Sequence, residues 1–100
     1  MSNTIYTPEQ IRQILYPVFR SYNVKKAVLF GSYAKGLAQE QSDVDILVDS
    51  GLKGLAFFGL LEDVVTSLDK NVDLLDSSQI KPFSQVDNEI SQNGVVIYGS

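Results

Sequence analysis

Residues 25–49 read KKAVLFGSYAKGLAQEQSDVDILVD. The apolar run Ala27–Phe30 predicts a strand over Lys25–Phe30. Gly31 and Ser32 end it, and Ser32–Lys35 is long enough for a short helical turn before Gly36. After a loop over Leu37–Gln41, a second strand is expected over Asp43–Asp49. Side chains alternate between the faces of a strand, so Val44, Ile46 and Val48 share the core face. Asp43, Asp45, Leu47 and Asp49 share the other. Asp43 and Asp45 then stand roughly 6.5–7 Å apart along one face. Two like charges at that spacing raise each other's pKa unless something neutralises them.

The run VDLLD repeats the pattern as a third strand, Val72–Asp76. Val72 and Leu74 take the core face, and Asp73 takes the opposite one. If this strand neighbours the second, Asp73 joins Asp43 and Asp45. Three carboxylates on one sheet face suit two divalent cations, the arrangement used for in-line phosphoryl or nucleotidyl transfer. Gly31-Ser32 complements them. A strand ending in Gly-Ser at a helical start presents unpaired N–H groups, and glycine lets a phosphate approach the backbone. Asp49 reads as a solvated strand end, Asp76 as a cap, and Ser42 as either a turn residue or a bridge to phosphate.

The remaining elements are read from periodicity. Thr7-Pro8-Glu9-Gln10 is a capping-box start. Ile11, Ile14, Leu15, Val18, Phe19 and Tyr22 follow as one apolar helical face. Pro17 lies inside that pattern and predicts a kink or break near Leu15-Tyr16. Leu55–Leu68 reads as a second long helix with Leu55, Phe58, Leu61, Val65 and Leu68 inward. A polar loop at Ser77–Gln79, a weaker helix over Phe83–Asn93 stopped by Gly94, and a last strand Val95–Tyr98 complete the chain. Alternating strands and helices indicate an α/β fold. A single domain is expected over residues 1–100.

The chain of 100 residues contains neither histidine nor cysteine. Metal chemistry would therefore use oxygen ligands, which favour Mg²⁺ or Mn²⁺ over Zn²⁺. The absence of cysteine fits a cytoplasmic setting. The net charge of −4 argues against strong nucleic-acid binding. The N-terminal residues lack a signal-peptide pattern, and no apolar run is long enough to cross a membrane.

Gly31-Ser32, a ten-residue interval and Asp43-Val44-Asp45-Ile46 together resemble the signature of the DNA polymerase β-like nucleotidyltransferase superfamily. GSYAKG, SDVDILV, the later VDLL and the ending NGVVIYG resemble its minimal nucleotidyltransferases. The resemblance runs from about Thr7 to Gly99. It implies a mixed β-sheet covered by helices on one face, as in the polymerase β palm. By the same resemblance Asp43, Asp45 and Asp73 are the catalytic and metal-binding carboxylates, Asp73 assisting the acceptor hydroxyl. Gly31, Ser32, Lys35 and Ser42 are the nucleotide-binding residues. Two Mg²⁺ ions (or Mn²⁺) would act, with ATP as substrate and AMP passing to a hydroxyl.

Many members carry arginine at the positions of Tyr33 and Lys35. Lysine keeps the charge without the bidentate fork, and tyrosine cannot neutralise phosphate, so weaker nucleotide affinity or dependence on a partner is implied. Stand-alone minimal nucleotidyltransferases often pair with an all-helical HEPN-type protein, which implies an antitoxin that modifies its toxin. A non-catalytic, partner-binding antitoxin is the alternative. An antibiotic-modifying nucleotidyltransferase is a second, although those enzymes are longer. Self-association through the sheet is also open.

Overall fold

A computed structural model describes residues 3–99. Helix α1 (Pro8–Ser21) leads into strand β1 (Lys26–Phe30) and the short helix α2 (Gly31–Lys35). Strand β2 (Val44–Asp49), helix α3 (Leu55–Leu68) and strand β3 (Val72–Asp76) follow. A 3-10 turn over Ser77–Gln79, helix α4 (Gln85–Asn93) and strand β4 (Val95–Tyr98) complete the order. The strands lie side by side as β3-β2-β1-β4. β1 is antiparallel to both β2 and β4, whereas β2 and β3 run parallel. A parallel pair needs a crossover rather than a hairpin, and α3 supplies it.

α1 begins as expected. The Thr7 hydroxyl accepts from Gln10 N–H and the Gln10 side chain accepts from Thr7 N–H. Ile11, Leu15 and Phe19 are fully buried along one stripe. The expected break at Pro17 does not occur: α1 continues to Ser21. Pro17 is exposed, so its ring stands on the outward side and the missing donor lies away from the core.

α1 and α3 cover one sheet face. Ala27, Leu29, Val44, Ile46, Val48 and Leu74 of that face pack with Ile11, Leu15, Phe19, Leu60, Val64 and Leu68. The phase expected for α3 was rotated. Leu60, Val64 and Leu68 are buried, while Leu55 is 89% and Phe58 54% exposed. Residues 55–61 are apolar nearly all round, so periodicity permits either phase, and α1 makes the choice. Tyr22 of α1 crosses at Gly59, where a Cβ would stand 3.3 Å from its hydroxyl oxygen. That hydroxyl donates to Asp63 at 2.7 Å.

Val28 and Phe30 point to the other face, yet both are buried. α4 packs against β1 there. A Cβ on its C-cap, Gly94, would meet Val28 Cγ1 at 2.8 Å and Ile90 O at 2.4 Å. Gly94 therefore stops the helix by lack of bulk; its φ of −66° is open to any residue. Tyr33 is 2% exposed inside the main core. Its ring contributes packing there. No helix among the described residues is long and apolar enough to cross a membrane.

Candidate active site

The carboxylate-bearing face of β2 is the one α1 and α3 leave open. Asp45 lies opposite Asp73 in the parallel β2–β3 register, on strands roughly 4.8 Å apart. On its other side Asp45 is paired with Phe30, the last residue of β1. The next residue, Gly31, turns the chain with φ +72°. A Cβ on Gly31 would fall 2.2 Å from Asp45 Oδ2. The glycine is therefore needed twice, for its left-handed backbone and for the carboxylate lying against it. Phe30, at the N-cap of α2, offers no side-chain cap, so among the described residues no capping side chain occupies the first N–H groups of Gly31–Lys35.

Asp43 sits just before β2 and is exposed. Its approach is held by hydrogen bonds from both sides. Ser42 Oγ accepts from Gln39 N–H at 2.9 Å, Val44 N–H donates to Asn71 O at 3.0 Å, and Lys70 Nζ donates to Glu40 O at 3.2 Å. Lys70 is 3% exposed, a buried cation beneath the Asp43 loop. Ser42, Asp43, Lys70 and Asn71 line a polar hollow of about 230 Å³. A larger hollow of about 720 Å³ lies elsewhere, at the β4 edge between Arg12, Tyr16, Lys25 and Tyr98. Its lining carries no acidic residue, so the carboxylate face is the better candidate for chemistry.

Burial pushes the Asp45 carboxyl up to about 6, helped by the negative charges of Asp73, Asp43 and Glu89. This acidic cluster lies beside the Gly31-Ser32 turn, and its oxygen donors suit a hard cation. Among the described residues no three carboxylates converge tightly enough to enclose an ion by themselves. Mg²⁺ is commonly held by one or two carboxylates together with substrate phosphates, and this face fits that pattern.

Lys35, at the end of α2, places its Nζ 2.8 Å from Glu89 Oε1 of α4. Glu89 and Lys70 were not singled out from the sequence. Neither belongs to a local motif, and only the return of α4 beneath α2 and the turn after α3 bring them in. Asp76, read as a cap, is one. Its carboxylate accepts from the hydroxyls and N–H groups of Ser50 and Ser78. Burial raises its pKa, but those hydrogen bonds outweigh burial and hold it below the usual carboxylate value.

This geometry has counterparts. The family model described as "Polymerase beta, Nucleotidyltransferase" matches residues 9–100. The chain belongs to the polymerase beta nucleotidyltransferase family. Within that family, a Methanocaldococcus jannaschii protein provisionally named a protein adenylyltransferase is 36% identical over 76 residues, covering 73% of this chain and 81% of its own. A crystal structure of a toxin-antitoxin with AMP-PNP superposes with TM-score 0.76 at 25% identity, covering 89% of this chain and 73% of the other. A complex of tri-AMPylated Shewanella oneidensis HEPN toxin with MNT antitoxin gives TM-score 0.70 at 21% identity, covering 94% and 74% of the two chains. The first of these supports the enzymatic assignment, and the last supports the fold alone. The nucleotidyltransferase fold expected from GSYAKG…SDVDILV is thus present, with its sheet order, parallel β2–β3 pair and helical cover.

Proposed function

We propose that this nucleotidyltransferase binds ATP on the open face of β2 and transfers AMP to a hydroxyl of a helical HEPN-type partner, acting as its antitoxin in the cytoplasm. The observation that carries the reading is the contact geometry of Gly31 against Asp45, with Asp73 beside it. A phosphate-accepting backbone turn and two carboxylates there share one small volume. A toxin-antitoxin structure with AMP-PNP supports the choice of nucleotide and of a toxin as partner.

In this reading Gly31, Ser32 and the first N–H groups of α2 receive the β- and γ-phosphates, and Lys35 adds positive charge. Asp43, Asp45 and Asp73 would hold two Mg²⁺ ions, or Mn²⁺, which supply charge neutralisation and Lewis acidity to the triphosphate when bound. Asp73 faces the acceptor and orients its hydroxyl. The acceptor hydroxyl gives up its proton to Asp73, its oxygen bonds to the α-phosphorus, the bond to the bridging oxygen breaks, and pyrophosphate leaves. Ser42 keeps the Asp43 loop in register through Gln39 and lies close enough to the polar hollow to meet the nucleotide.

Co-expression with the partner toxin tests this. The parent chain is expected to restore growth and leave AMP on the toxin, and Asp45→Asn to do neither while remaining folded. Neutralisation that survives Asp45→Asn without AMP on the toxin would replace catalysis with plain binding.

A further inference from the structure

Lys35 and Glu89 come from segments far apart in sequence and meet where α4 passes α2. Their 2.8 Å ion pair joins side chains that are 39% and 28% exposed. Glu89 Oε1 itself is sealed from solvent, so Lys35 is its only close compensation among the described residues. Lys35 is also the last residue of α2, the short helix that begins at Gly31 and Ser32. Lys35 therefore has two claims on it, the Glu89 carboxylate now and an incoming anion next to Gly31-Ser32.

We propose that Glu89 is a positioning residue that holds Lys35 in the nucleotide-free protein and yields it to the triphosphate. The inference rests on the nucleotide-binding reading of Gly31, Ser32 and Asp45. In the nucleotide-free state the pair fixes Lys35 against α4. When the triphosphate enters, Lys35 exchanges a carboxylate for a phosphate, and part of the binding free energy is spent on breaking the ion pair. Glu89 thus sets nucleotide affinity through Lys35 without touching the nucleotide.

A double-mutant cycle on MgATP affinity, measured by calorimetry, tests this. A partly exposed ion pair is a modest opponent, so Glu89→Gln is expected to tighten MgATP about three- to fivefold. In a Lys35→Met background the same change should alter affinity by less than about 1.5-fold, the coupling having been removed. Equal tightening in both backgrounds would mean that Glu89 simply repels phosphate, and would overturn the proposal. So would weakening in Glu89→Gln, which would make Glu89 a support for the bound position of Lys35. Side-chain NMR of Lys35 in the parent supplies a second readout. Its signals should move toward their Glu89→Gln positions as MgATP is added, and signals unmoved by MgATP would also overturn it. A parent chain that binds no MgATP overturns the nucleotide-binding reading itself, which separates the two failures.

Discussion

Asp45 shows what the site costs the fold. Its carboxyl is raised from 3.8 to about 6, so the folded chain takes up a proton between those values more readily than the unfolded chain. Stability therefore falls as pH rises from about 4 to about 6 and stays lower above that. Asp45→Asn removes the penalty. At pH 7.5 the metal-free variant should be more stable than the parent by about 1–2 kcal/mol, allowing for partial solvent access. The gap should close as pH falls toward 4, and thermal melts across that range are the check. Gly31 is the reverse case. Gly31→Ala places a methyl on Asp45 Oδ2 in a left-handed backbone. It should cost about 1–2 kcal/mol in denaturant titrations and most of the transferase activity. Gly31 and Asp45 were legible as candidates in the sequence, from Gly-Ser and Asp-x-Asp at that interval, whereas the carboxylate lying against Gly31 emerged only with the fold. Tyr33 was not: a tyrosine between Ser32 and Ala34 reads equally well as surface or core, and only packing decides.

Elements were legible where the residues left one choice. β2 and β3 showed their faces in the spacing of their residues, whereas the Asp45–Asp73 pairing depended on the two strands being neighbours, which the fold supplies. α3 did not, because LAFFGLL offers no polar side to fix its phase, and Tyr22 over Gly59 selected it instead. The ends of β2 and β3 are tied by Asp76, which holds Ser50 after one strand and Ser78 after the other. It is 5% exposed and its pKa is depressed, so its stabilisation is present above the unfolded carboxylate pKa and is lost as pH falls through the folded one. Asp76→Ala strands both hydroxyls and is expected to lower stability by about 2–3 kcal/mol at neutral pH, read from urea midpoints. Transfer by the folded variant should survive, since Asp76 lies on the opposite face of β3 from Asp73.

At the scale of the molecule, two helices bury one sheet face and leave the other to α4 and the carboxylates. This division explains how 97 described residues, 3–99, support both a core and a charged site. The sequence motifs placed that site at the ends of β1 and β2. They were silent on Glu89 and Lys70, which arrive by tertiary packing alone. In the proposed function, this face splits a nucleoside triphosphate at its α-phosphorus. The most direct measurement incubates the chain and its partner protein with Mg²⁺ and ATP labelled at either the α- or the γ-phosphate. Label on the partner from α-labelled ATP only, with pyrophosphate released, is the predicted result. Label from γ-labelled ATP, or α-labelling undiminished in Asp45→Asn, would contradict it.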